Sequence, residues 1–149
     1  MANSIQYAKI VSVPSEKVDT NELAGRLRVA FAEYEAATEQ SPITMFTIPN
    51  GARLLSGAVS HDALAASTTL SVGYGAHTKA DGTTQALDVD EYKAAAASTA
   101  AISSVALDTM ALGKNSVVDA NEDGVPVTVT LAGANGTGTI QLQMFYVID

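Results

Sequence analysis

The strongest constraint on this chain is the spacing of its turn signals. Between residues 42 and 148, clusters of Pro, Gly, Asn and Asp recur about every ten residues and separate short runs rich in Val, Ile, Thr and Tyr. Runs so closely spaced leave little room for crossover helices, so βαβ units are disfavoured and short antiparallel strands remain. Ile43 to Ile48 is one such run, Pro49-Asn50-Gly51 is a turn, Ala52 to Ser60 is a second run and Thr68 to Tyr74 a third. A Ser/Ala/Val stretch lies around Ile102 to Leu107, and a loop runs through Gly113-Lys114-Asn115. Val125 to Leu131 and Thr139 to Ile148 flank Gly133-Ala134-Asn135-Gly136-Thr137, where Asn-Gly predicts a hairpin. In the last run Ile140, Leu142, Met144 and Tyr146 share one face, which marks a structural strand. The expected fold class is all-β, an antiparallel β-sandwich of jelly-roll-like form with one short helix.

The helix is expected at Asp88 to Ala97. Asp88 and Glu91 have the spacing of a capping box, and Tyr92-Lys93-Ala94-Ala95-Ala96-Ala97 contains good helix formers. At the other end of the chain, Ile5 to Val13 alternates with period two and predicts a strand stopped by Pro14. Both of its sides are apolar, and a lone edge strand would leave them exposed. Ile5, Tyr7, Ile10, Val11 and Val13 are therefore candidate interface residues. Pro14 and the polar stretch from Ser15 to Glu22 divide an N-terminal strand or arm, residues 1–14, from one β-sandwich domain, residues 15–149. In the segment Arg26 to Tyr34, Leu27, Val29 and Phe31 alternate with Arg26, Arg28 and Ala30, which favours a strand, although Ala32 to Ala37 would also suit a helix, and the arginine side is expected to face solvent or an acidic partner.

Reactive chemistry is sparse. The chain has no Cys, which removes disulfides, thiol nucleophiles and most structural zinc sites. Its net charge of −8 rules against a nucleic-acid partner, and no long apolar run implies a membrane span. The 26 Ala and 27 Ser plus Thr stand in for the missing charged residues, so much of the surface is small and neutral. Asp119-Ala120-Asn121-Glu122-Asp123-Gly124 matches the opening of a calcium loop. However, Thr130 occupies the position of the bidentate carboxylate, and a solvated acidic turn explains the motif as well. His61, next to Asp62, and His77 are the only histidines, and no G-x-S-x-G elbow accompanies them. Gly73-Tyr74-Gly75 lacks the third Gly and the Lys-Ser/Thr of a phosphate loop. Asn135-Gly136-Thr137 matches a glycosylation acceptor, which has no meaning without a secretory signal. No catalytic residue, cofactor or metal site is assigned, and the chain is not expected to be an enzyme.

The string Phe46-Thr47-Ile48-Pro49-Asn50-Gly51-Ala52-Arg53-Leu54-Leu55, followed by Val59 to Gly73 with its Ala66-Ser67-Thr68-Thr69-Leu70-Ser71-Val72 core, resembles a pattern in head decoration, or capsid cement, proteins of tailed bacteriophages. These are of the kind found in phages of marine bacteria and cyanobacteria. The resemblance extends over residues 43–149 and leaves the first 40 residues outside it. It implies a β-sandwich made in the host cytoplasm and placed on the outer surface of the virion capsid. The implied partner is the major capsid protein of the same phage, and a homo-oligomer, a trimer, is expected, with no cofactor, nucleic acid or membrane. Copy number on the particle separates this role from a tail or fibre adaptor or receptor-binding component. Calcium-dependent melting would point instead to a calcium- or carbohydrate-binding module.

Overall fold

In the computed structural model, residues 4–18, 25–106 and 116–148 are described. Among these residues one helix, α1 (Ile5–Val11), precedes ten strands: β1 (Arg26–Glu39), β2 (Pro42–Ile48), β3 (Arg53–His61), β4 (Thr69–Tyr74), β5 (His77–Thr78), β6 (Thr84–Gln85), β7 (Asp88–Ala97), β8 (Ile102–Ala106), β9 (Val125–Ala132) and β10 (Gly136–Ile148). One four-stranded sheet has the order β1-β10-β3-β8 and the other β2-β9-β4-β7, with β5 and β6 forming a small separate pair. Every pairing within the two sheets is antiparallel. The chain passes between sheets at β1–β2, β2–β3, β3–β4, β7–β8, β8–β9 and β9–β10, which is the winding of a jelly roll and bears out the expected sandwich.

The core lies between the sheets and follows the period-two pattern. Ile140, Leu142 and Met144 of β10 are fully buried, while Gln141 and Gln143 between them are exposed. Opposite them, Val125, Val127, Val129 and Leu131 of β9 turn inward with Leu70 and Val72 of β4. Apart from Tyr92 the fully packed core is aliphatic, in keeping with a chain that has no Trp and three Phe.

Three local expectations fail for physical reasons. The helix expected at Asp88–Ala97 is the strand β7, paired with β4. Asp88 accepts a hydrogen bond from the Asp90 amide at 3.2 Å, an Asx turn in place of a capping box. An isolated helix of this length is marginal in water, whereas the sheet buries Tyr92 against Tyr74, ring centroids 6.1 Å apart. The strand expected at Ile5–Val13 is the helix α1. Ser4 caps it by accepting from the Tyr7 amide at 3.2 Å, and Lys9 in the last turn suits the negative helix end. Finally, Asn135-Gly136 does not close a hairpin, because β9 and β10 belong to different sheets. Gly133, at φ +88°, passes so close to Ser67 that a Cβ would lie 2.2 Å from its carbonyl oxygen. The turn is thus a tight corner over the end of the sandwich.

Candidate functional site

The residues with chemical potential are spread apart and tied into local structure. His61 ends β3 on the wall of an open polar groove of about 730 Å³, lined also by Glu33, Ser60, Asp62, Ser103 and Gln141. Its Nδ1 donates to the Asp62 main-chain carbonyl at 2.7 Å, where a catalytic triad would present a carboxylate. The Asp62 carboxylate instead accepts from the Thr139 amide at 2.9 Å and so pins β10 beside the end of β3. His77 donates from Nδ1 to the Gly75 carbonyl at 3.0 Å and meets Tyr74 edge-on, with centroids 5.3 Å apart. The two histidines thus brace their own loops.

The acidic turn behaves similarly. Asp119 accepts from the Ala80 amide at 3.1 Å, which ties it to the β5–β6 connection. Asn121 accepts from the Asp123 amide at 3.1 Å and donates to the Asp123 carboxylate at 2.9 Å. Those bonds make an Asx turn, and Gly124 completes it at φ +76°. Among the described residues, no group of three or more His, Cys, Asp or Glu is placed to hold a metal ion. Gly73 has a structural duty. The wide bulge at the start of β7 crosses it, and a Cβ there would lie 2.0 Å from the Asp88 carbonyl oxygen.

Beside that bulge, burial first, and then the negative charges of Asp88 and Asp90, raise the Glu91 carboxyl above its usual range. Burial likewise raises the Tyr92 phenol, helped by Glu91, so that it stays protonated. Tyr74 is also raised, by burial and then by Asp88 and Glu91, although a hydrogen bond from Gln85 opposes the shift. The small cleft here, about 160 Å³, is bounded by Tyr74, His77, Lys79, Glu91 and Tyr92.

The conspicuous surfaces are apolar. On α1, Tyr7, Ile10 and Val11 are 54%, 47% and 48% exposed, and Val13 just beyond it is 99% exposed. At 100° per residue the first three form one stripe. The structure therefore groups Tyr7, Ile10 and Val11 on a helix face instead of alternating them across a strand. The Ile5 side chain lies outside the described residues.

A second apolar face went unread in the sequence. On β1, Leu27, Val29 and Phe31 are 64%, 56% and 59% exposed, and they point away from the core. Ala30, Ala32, Tyr34 and Ala36 point inward, opposite Met144, Leu142, Ile140 and Gly138 of β10. Arg26 and Arg28 share that inward parity but lie exposed at its end. Across the outer face, Leu27 stands beside Val147 and Val29 beside Phe145, both half-buried. Glu33 and Glu35 continue the same face, bonded to Gln141 at 2.6 Å and Thr139 at 2.7 Å. Those two acids were the legible signal, since a core face does not end in adjacent carboxylates.

No protein-family model matches the chain, and no curated protein matches it. Solved structures do. A chain in the cyanophage Pam1 capsid asymmetric unit aligns with a TM-score of 0.59 and 18% identity, covering 84% of this chain and 86% of that one. A chain in the capsid of Ralstonia phage GP4 aligns with a TM-score of 0.59 and 22% identity over the same shares. The fold is shared. At these identities the likeness concerns architecture and transfers no site residue.

Proposed function

We propose that the chain is a structural virion protein, a decoration or cement protein that binds the outside of a bacteriophage capsid and stabilises the shell. The observation that carries this reading is the shared fold with chains of two phage capsids over more than four-fifths of each chain. Two uncovered apolar faces support it, because surfaces of this kind on a jelly roll are suited to contacts between subunits. The partner is the major capsid protein of the same phage, the working unit is a homo-oligomer, a trimer, and the role is not enzymatic. Residues 1–14 serve as an arm, with Ile5, Tyr7, Ile10, Val11 and Val13 as its interface, and residues 15–149 form the sandwich domain.

The mechanism needs no reactive group. A protein that binds the assembled shell better than dissociated subunits shifts assembly by mass action, and several linked contacts multiply a modest affinity. The test compares particles with and without the protein under heating. Complete particles should hold their genome to a higher temperature, and deletion of residues 1–13 should leave the sandwich folded while abolishing attachment. Replacing Ile5, Tyr7 and Val11 with Asp should act likewise, since burying unpaired charge is costly. Equal heat resistance with and without the protein would reject the cement role and favour a tail or fibre position.

A further inference from the structure

We propose that the apolar stripe of α1 docks on the outer face of β1 and β10 of a second copy of the chain, so that copies are joined by exchanged N-terminal helices. The inference rests on the reading of residues 1–14 as an arm and names what the arm grips. Both faces are apolar and open to solvent in the single chain: Tyr7, Ile10 and Val11 on the helix, and Leu27, Val29 and Phe31 beside the half-buried Phe145 and Val147 on the sheet. Their dimensions agree. Seven helical residues span about 10 Å, and Leu27 to Phe31 spans about 13 Å of strand.

The sheet also offers a trough. Phe145 and Gln143 are followed across the face by Ser56 and Ala58 of β3, so bulky side chains on β1 and β10 give way to small ones. A helix laid along that step contacts both the raised apolar side chains and the low floor. Lys9 falls on the back of the helix, away from the stripe, Glu33 and Glu35 lie beyond one end of the apolar sheet face, and Arg53 of β3 stands beside Val147 at the other end, so a helix seated over Val29, Phe31 and Phe145 need bury none of these charges.

The chain's own helix is not the occupant. The connection, residues 12–25, can extend to about 45 Å and gives ample reach. Even so, the stripe and the sheet face both remain open to solvent within one chain. Many identical copies on one shell would supply the complementary face at high local concentration.

The absence of cysteine permits a clean test on the purified full-length protein without any shell. Ile10→Cys and Val29→Cys copies carrying different tags are mixed and oxidised. The expected product is a mixed-tag disulfide that neither variant yields alone. Self-linked Ile10→Cys copies would show helix against helix, and self-linked Val29→Cys copies would show sheet against sheet. A double variant that closes within one chain would show the helix on its own sheet. Each of these three outcomes, or no linkage at all, overturns the proposal. As a second readout, Phe31→Glu should shift the sedimenting species to the mass of a single chain while leaving its thermal unfolding cooperative. Persistence of the oligomer would count against the docking site. Because these measurements omit the capsid, their failure is distinguishable from failure of the decoration role, which the heated-particle comparison reads separately.

Discussion

Truncating Phe31 to Ala should barely weaken the isolated subunit, although Phe31 is one of only three Phe in the chain. With 59% of its surface exposed, Phe31 buries less than half of itself in the monomer. Full burial of a Phe side chain is worth about 1.5–3 kcal/mol, so the loss here is about 1 kcal/mol. Leu142, facing the opposite way on the adjacent strand, is 0% exposed and sits among Ile140, Met144, Val59 and the β9 valines. Its replacement by Ala should cost about 3–5 kcal/mol, because the lost transfer energy is joined by a cavity. For a chain of this size, each kcal/mol lowers Tm by about 2–4 °C, which separates the two variants by about 10 °C. The assay is thermal unfolding by circular dichroism over a dilution series. Dilution matters because a covered Phe31 in an oligomer would make the Phe31→Ala loss grow with concentration. A concentration-independent loss equal to that of Leu142→Ala would mean that Phe31 faces the core, and the inside-out reading of β1 would fall.

Other outcomes follow from the same geometry. Gly73→Ala should destabilise by about 3 kcal/mol or more, since its Cβ meets the Asp88 carbonyl and only a shift of the β7 backbone can relieve it; unchanged thermal unfolding would refute the close crossing. Glu91→Gln should stabilise the fold at pH 7 by less than about 1 kcal/mol, seen as a small rise in Tm, solvent screening being substantial. The Glu91 pKa is higher folded than unfolded, so its ionised form opposes folding above the folded pKa. That penalty disappears as pH falls through the folded value toward the unfolded one. The benefit of Glu91→Gln should therefore vanish in acid, and a benefit that persists there would exclude the repulsion with Asp88 and Asp90. Adding calcium or a chelator should leave Tm unchanged, because the Asp119 and Asp123 carboxylates are engaged in turn hydrogen bonds; a calcium-dependent rise would reopen the metal reading.

How much was legible depends on which force decided each element. β9, β10 and β4 are packed by large β-branched and aliphatic side chains, so their alternation records burial directly and their positions could be read. β7 could not, because Ala94 to Ala97 are exposed and their helix preference is a local property that pairing with β4 overrides. α1 failed in the reverse sense. Alternation predicts a strand only where a neighbouring strand exists to accept its hydrogen bonds, and at Ile5–Val11 local capping by Ser4 prevailed.

β1 is the instructive case, since its strand was legible and its parity was not. Hydrophobicity alone assigns Leu27, Val29 and Phe31 to the core, yet the large inward side chains of β10 leave room only for alanines opposite Leu142 and Met144. Ala32→Leu tests that volume limit within the monomer. The added bulk should cost about 1–3 kcal/mol by overpacking against Leu142. On the outer face the same exchange would be nearly neutral. A neutral Ala32→Leu would therefore turn β1 over and remove the exposed face on which helix exchange depends. A penalty of the expected size leaves Leu27, Val29 and Phe31 outside the fold, as a surface that a partner must cover.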